Sequence, residues 1–213
     1  MYKKFIKRLI DITLSFIGII VLSPVFLITA IMIKIDSKGP ILFKQKRIGI
    51  NKTQFNILKF RSMYVTTPKD CPTHLLSSAN SYITKVGEFM RKTSLDELPQ
   101  MFNIFTGKMS IIGPRPALWN QYDLIAERDK YGANNIKPGL TGWAQINGRD
   151  TIKITDKARY DGEYVKKLSF SFDCKCFFGT IVSVIKSDGV LEGSTDASKK
   201  EEETKIKESG EMK

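Results

Sequence analysis

Arg91-Lys92-Thr93-Ser94-Leu95-Asp96-Glu97-Leu98-Pro99-Gln100 sets two adjacent carboxylates just after two cations. The spacing predicts a helix start there, with unpaired N–H groups and a partial positive charge. Together with Arg91 and Lys92, that field holds an acid ionised beside a place that attracts phosphate. A carboxylate so placed can act as a nucleophile or as a magnesium ligand. The chemistry suggested is that of an enzyme working on a phosphorylated substrate. The same residues also spell a capping box, with Ser94 as N-cap and Glu97 at the third helical position. Asp96 would then be an ordinary first-turn acid. The two readings are compatible at Glu97 and compete at Asp96.

Other residues can supply cations to such a site. Pro40–Phe43 and Gln54–Leu58 read as two short strands, with Gly49-Ile50-Asn51 as turn chemistry, so a small hairpin is expected. It runs into Lys59-Phe60-Arg61-Ser62-Met63, where Lys59 and Arg61 alternate onto one strand face. These are phosphate contacts or simply solvated side chains. In Gly113-Pro114-Arg115-Pro116, two prolines restrict the backbone around Arg115 and limit the entropy it loses on gripping an anion. Lys137 to Arg149 is punctuated by glycines. Pro138-Gly139 suits a type II turn, and exposed N–H groups with Arg149 would cradle phosphate or a nucleotide.

The elements that must position these residues follow from periodicity. A helix is expected to end near Arg91, and a second starts near Ser94. The second carries Leu98, Met101, Phe102 and Phe105 on one face and stops near Gly107. That stripe is packing surface, in a core or against a membrane. Tyr160-Asp161-Gly162-Glu163-Tyr164-Val165 continues a later helix. Phe172 to Ile185 is apolar around most of its circumference, and either lies in a membrane interface or closes the core.

The chain has 213 residues and a net charge of +12. Residues 191–213 hold five lysines and seven acids and read as a disordered charged tail, so the basic excess belongs to the body. Cys71, Cys174 and Cys176 make no disulfide framework and fit a reducing compartment. With His74 the only histidine, zinc and Ser-His or Cys-His chemistry are poorly supported.

Ile12 to Ile33 contains no charged residue. A straight helix of that length would reach about 33 Å, enough to cross a bilayer core. Pro24 interrupts it and bends the helix, while Ser23 can satisfy backbone groups freed at the bend. Both flanks are basic: Lys3, Lys4, Lys7 and Arg8 before, and Lys34, Lys38, Lys44, Lys46 and Arg47 after. Equal claims to the cytoplasmic side suggest a bent helix that enters and returns on one face. A straight single-pass anchor is the other reading.

The ordered series Ser23-Pro24, Lys59 to Met63, Arg91 to Gln100, Gly113 to Pro116, and Pro138-Gly139 through Arg149 resembles one family, over about residues 1–190. That family is the bacterial sugar transferases, the monotopic polyprenyl-phosphate phosphoglycosyl transferases, in their small form. The resemblance implies transfer of a sugar 1-phosphate from a nucleotide diphosphate sugar, UDP-linked by expectation, to undecaprenyl phosphate with release of UMP. It is the first membrane step of capsule, exopolysaccharide, O-antigen or glycoprotein glycan assembly. Asp96 and Glu97 match the family's catalytic dyad. Asp96 would form an acyl-phosphate intermediate, and Mg2+ would be bound partly through Asp96 and Glu97. Lys59, Arg91 and Arg115, then Arg61 and Arg149, would meet the diphosphate, with Asp161 a further acidic site residue. The implied place is the cytoplasmic face of the bacterial membrane, among membrane lipids and beside downstream glycosyltransferases, with no nucleic acid.

The expected fold class is α+β and mostly helical. A re-entrant membrane helix-break-helix fills 1–36. A cytoplasmic catalytic domain with a small β-hairpin and interfacial amphipathic helices fills 37–190. The rival reading, a non-catalytic membrane-bound cationic adaptor, explains the charge and the anchor but leaves the acid pair without a role.

Overall fold

The computed structural model describes residues 1–68, 79–148 and 152–186. Cys71, His74, Arg149 and the 191–213 tail lie outside the described residues. A π-helical turn (Tyr2–Ile6) leads into α1 (Lys7–Val21) and α2 (Ser23–Asp36). The two helices are bent by 60° at Leu22, and no single described helix is long and apolar enough to cross a membrane. Pro24 stands in the first turn of α2 and has no N–H to offer Ile20. The Ser23 hydroxyl donates to the Ile20 carbonyl instead, at 2.8 Å, as expected of a residue at that break.

The expected hairpin is present and longer than its periodicity suggested. Strands β1 (Leu42–Ile48) and β2 (Gln54–Phe60) pair antiparallel, with Phe43 opposite Lys59. Asn51 and Lys52 both take positive φ in the connecting turn. After β2 come α3 (Ala79–Tyr82) and α4 (Lys85–Lys92), the latter capped by the Thr84 hydroxyl, which accepts from the Gly87 N–H. A 3-10 turn (Leu95–Glu97) and α5 (Gln100–Phe105) complete this half.

The second half contains a pair of strands not foreseen from the sequence. β3 (Ser110–Ile112) and β4 (Gly139–Thr141) are parallel, joined by a crossover that includes α6 (Tyr122–Asp129). Gly139 therefore opens a strand and is not the second corner of a type II turn. The reason is close backbone approach: a Cβ on Gly139 would sit 2.1 Å from the Gly113 nitrogen, and one on Gly142 2.1 Å from the Gly113 carbonyl oxygen. Gly139 N–H donates to Pro114 O and Gly113 N–H to Thr141 O. The glycine stretch thus grips the arginine loop. The helices α7 (Trp143–Ile146), α8 (Ile154–Lys167) and α9 (Phe170–Lys186) follow.

The stripe on α5 packs on the bent pair. Phe105 stacks on Phe16, and Phe102 and Phe60 both meet Phe26. Ile33, Phe60 and Met90 form a core cluster that Leu95 and Leu98 join, so the turn carrying Asp96 is seated on α2. Ile17, Ile20, Leu27, Ile28 and Ile31 remain exposed. Helix α9 closes the core with one face and leaves an apolar face exposed. Cys176 is buried against Ile112 and Tyr164, whereas Phe177, Phe178, Ile181 and Val182 are exposed. At its start, Asp173 accepts from Tyr2, Lys7 and Tyr164 and ties α9 to the amino terminus.

Candidate active site

Ser94 does not cap a helix. It adopts the left-handed conformation at φ 56°, its side chain makes no capping bond, and the α-helix proper begins only after Pro99. The competing interaction is stronger. Glu97 is held by the Lys59 ammonium at 2.7 Å and by Arg115 Nη2 at 2.7 Å, with Arg115 Nη1 at 3.4 Å. Two full cations outweigh one neutral backbone N–H. The capping box does not form, and the helix start expected near Ser94 is a 3-10 turn with Asp96 and Glu97 in it, the α-helix following from Gln100.

Asp96 is 8% exposed. Its nearest cation is Lys59, at 3.7 Å, and it accepts no hydrogen bond among the described residues. The adjacent acids consequently diverge. Burial raises the proton affinity of Asp96; Lys59 opposes this, Glu97 adds to it, and Arg91 and Arg115 oppose it, with a net upward shift. Burial alone would raise Glu97 as well, but Arg115 and Lys59 hold its carboxyl well below the usual glutamate range. The cations depress the acid as expected at Glu97, whereas at Asp96 burial outweighs them. The physical reason is that Lys59 and Arg115 are directed at the glutamate.

Asp96 lines a cavity of about 410 Å³ between the hairpin and the Ser62–Pro68 segment. Lys59, Arg61 and Arg91 line it too. Arg91 Nη1 is buried and has no hydrogen-bond partner among the described residues. A donor in that condition needs an acceptor, and a phosphate oxygen is one. Arg61 plays a different part from the one its spacing suggested. Its two terminal nitrogens donate to Ser37 O at 2.7 Å and Lys38 O at 2.6 Å, fastening the end of α2 to the cavity wall.

Asp161 does not line this cavity. It is 1% exposed in α8 and paired with Arg128 of α6. Two residues to which the sequence reading gave no place at the site help to position it. Asp11 is buried in α1 and accepts from Ser110 Oγ and from Ile111 N–H, which ties α1 to the strand leading into the arginine loop. Arg47 donates to Pro116 O and braces the same loop from β1. The available signal for Asp11 was a lone acid at the rim of the charge-free run.

Among the described residues no three His, Cys, Asp or Glu side chains cluster as a metal cage. One buried carboxylate beside a cationic cavity still suits a hard cation that draws most of its ligands from water and phosphate, as magnesium does. Asp96 fits that role. Glu97 takes Lys59 and Arg115 Nη2 on Oε1, so Oε2, with only Arg115 Nη1 at 3.4 Å, is the atom it could offer.

Residues 2–187 match the model of the bacterial sugar transferases. The chain belongs to that family. The UDP-glucose:undecaprenyl-phosphate glucose-1-phosphate transferase of Escherichia coli (strain K12) is 40% identical over 186 residues, covering 84% of this chain and 40% of the relative. The UDP-N-acetylgalactosamine-undecaprenyl-phosphate N-acetylgalactosaminephosphotransferase of Aeromonas hydrophila is 36% identical, over 87% of this chain and 45% of the relative. This bacterial sugar transferase thus spans less than half the length of either. The exopolysaccharide production protein ExoY of Sinorhizobium fredii is 34% identical, over 86% of this chain and 87% of the relative.

Proposed function

We propose that this bacterial sugar transferase moves a sugar 1-phosphate from a UDP-sugar to undecaprenyl phosphate through a covalent intermediate on Asp96. The observation that carries this reading is the buried Asp96 carboxylate, without a hydrogen bond among the described residues, beside a cavity lined by Lys59 and by Arg91, whose buried Nη1 has no partner among them. Arg91 and Lys59 receive the diphosphate oxygens and offset the charge that would repel an incoming carboxylate. An Asp96 oxygen attacks the β-phosphorus, and the bond from that phosphorus to the oxygen bridging to UMP breaks. An oxygen of the lipid phosphate then attacks the same phosphorus and Asp96 leaves as a free carboxylate. Glu97 keeps Lys59 and Arg115 in place throughout. Magnesium held by Asp96, when bound, supplies further neutralisation of diphosphate charge.

The bend at Leu22 and the exposed apolar residues on α1 and α2 support a re-entrant membrane helix on the cytoplasmic face. Leu95 and Leu98, packed on that pair, would then set Asp96 at the height of a lipid phosphate.

The test is incubation with a panel of UDP-sugars and undecaprenyl phosphate, read by UMP release and by a phosphosugar adduct trapped on the chain. Asp96→Asn is expected to abolish both while the protein still folds and binds membrane; normal turnover by that variant would eliminate Asp96 as nucleophile. Tags at the two ends should both be reached from the cytoplasmic side. Pro24→Ala, which returns an N–H to Ile20, should move one tag across.

A further inference from the structure

A separate cationic cavity lies where the chain enters α1. It measures about 300 Å³, Lys3, Lys7, Arg8, Asp11 and Lys137 are among its walls, and no residue lining it also lines the Asp96 cavity. Its charges do not balance. Lys7 is matched by Asp173 at 2.7 Å. That leaves Lys3, Arg8 and Lys137 against one lining carboxylate, Asp11, which forms no ion pair among the described residues. Arg8 directs its two terminal nitrogens at neutral acceptors, Ile104 O at 2.6 Å and Phe105 O at 2.7 Å, so its charge stays unmatched. The Lys3 and Lys137 ammonium groups have no hydrogen-bond or ion partner among the described residues. A Cβ on Gly107 would lie 3.1 Å from Arg8 Nη2 and 3.6 Å from Lys137 Nζ, so two cationic heads converge on one point. Burial, then Arg8, lower the proton affinity of Lys137, with Asp11 opposing. Like charges held together partly out of water are stabilised by an anion set between them.

The surroundings give the anion's class. The charge-free run begins at Ile12, one helical turn after Arg8. Phe5 and Leu9, at a helical spacing that puts them side by side, are 72% and 65% exposed, and Phe170 is 58% exposed. Leu168, close to Phe170 in the chain, lines the cavity itself. A free phosphate gains nothing from exposed phenyl groups around its site. A phospholipid does: its phosphodiester meets the cations while its acyl chains cover the rings.

We infer that this cavity holds the headgroup of an acidic phospholipid, with its phosphodiester between Arg8 and Lys137 and with Lys3 beside them. The assignment rests on the membrane placement of the bent pair proposed above and is independent of the transfer reaction. The bound lipid pins the entrance of α1 at the level of the lipid phosphates.

The test is titration of the full chain, in a neutral detergent, with dioleoylphosphatidylglycerol, with dioleoylphosphatidylcholine and with inorganic phosphate, the bound lipid being counted by native mass spectrometry. The anionic lipid should bind roughly tenfold more tightly than the zwitterionic one, or better. Lys3→Met and Lys137→Met should each weaken its binding about fivefold, the effect of one lysine at an anionic lipid surface, and the double variant should lose the preference. Lys137→Arg keeps the charge and should keep the preference. Neither lysine has a partner to lose, so the Tm measured without lipid should hold in every variant. Equal binding of the two lipids would overturn the assignment, as would a preference that survives the double variant. Displacement of the lipid by inorganic phosphate would also overturn it, by making the site one for a soluble anion. The titration needs no bilayer, so its failure is distinct from a failure of the membrane placement, which the end tags report.

Discussion

Two acid–cation groups in this molecule look alike in composition and differ in how their charges balance. Between α6 and α8, Asp161 forms one ion pair, in which Arg128 donates to Oδ2 through Nε at 2.8 Å and Nη2 at 2.6 Å, while Oδ1 is buried without a partner among the described residues. Both partners are almost wholly buried. Around the dyad, three cations surround two acids: Glu97 takes Lys59 and Arg115, Asp96 is left 3.7 Å from Lys59, and Arg91 keeps a buried unpaired nitrogen. Burial raises the proton affinity of Asp96 and of Asp161 alike, with Arg128 opposing it at Asp161. What differs is charge left over. A one-to-one pair serves the fold, whereas an excess cation and an unbonded carboxylate in a cavity wait on charge from outside.

Substitutions should separate the two groups by what they damage. The largest effect is expected at Asp96→Asn, with product formation and covalent loading at background and a Tm that does not fall, since a buried unbonded charge has been removed. A marked drop in Tm would reassign Asp96 to the fold. Next, Lys59→Met should lower kcat by roughly 100- to 1,000-fold, the range for one preorganised donor at developing charge; single-turnover rates at saturating UDP-sugar would measure it. Asp161→Ala should do the reverse. It strands the Arg128 guanidinium and should cost about 3–5 kcal/mol in denaturant unfolding, while the folded fraction keeps its turnover number. Loss of turnover without loss of stability there would return Asp161 to the site. The smallest effect is expected at Ser23→Ala, which removes one hydroxyl bond to Ile20 O and should cost about 1 kcal/mol, seen as a Tm lower by a few degrees with kcat unchanged.

The same contrast explains which features were legible beforehand. The hairpin, the helix ending near Arg91, the Leu98-to-Phe105 stripe and the Ser23-Pro24 break all depend on neighbours within a few residues, and periodicity or turn chemistry reports them. The capping reading of Ser94 fails because its rival lies far off in the chain: Lys59 and Arg115 reach Glu97 from 38 and 18 residues away. Asp161 was drawn toward the site by its local pattern, but its partner Arg128 is 33 residues distant. Strands β3 and β4 have three residues each and gave no alternation to detect.

By itself, the order of residues determined the chemical inventory: the acid pair, the surrounding cations, the kinked apolar segment and membership in a family. Those are statements about identity and local spacing, which a chain carries before it folds. The folded arrangement alone decided which acid is matched by cations and which is left without a close partner, because that depends on distances between side chains brought together from remote segments. It also decided that neighbouring carboxylates open onto two different cavities, since cavity walls are assembled from hairpin, strands and helices that meet only in three dimensions.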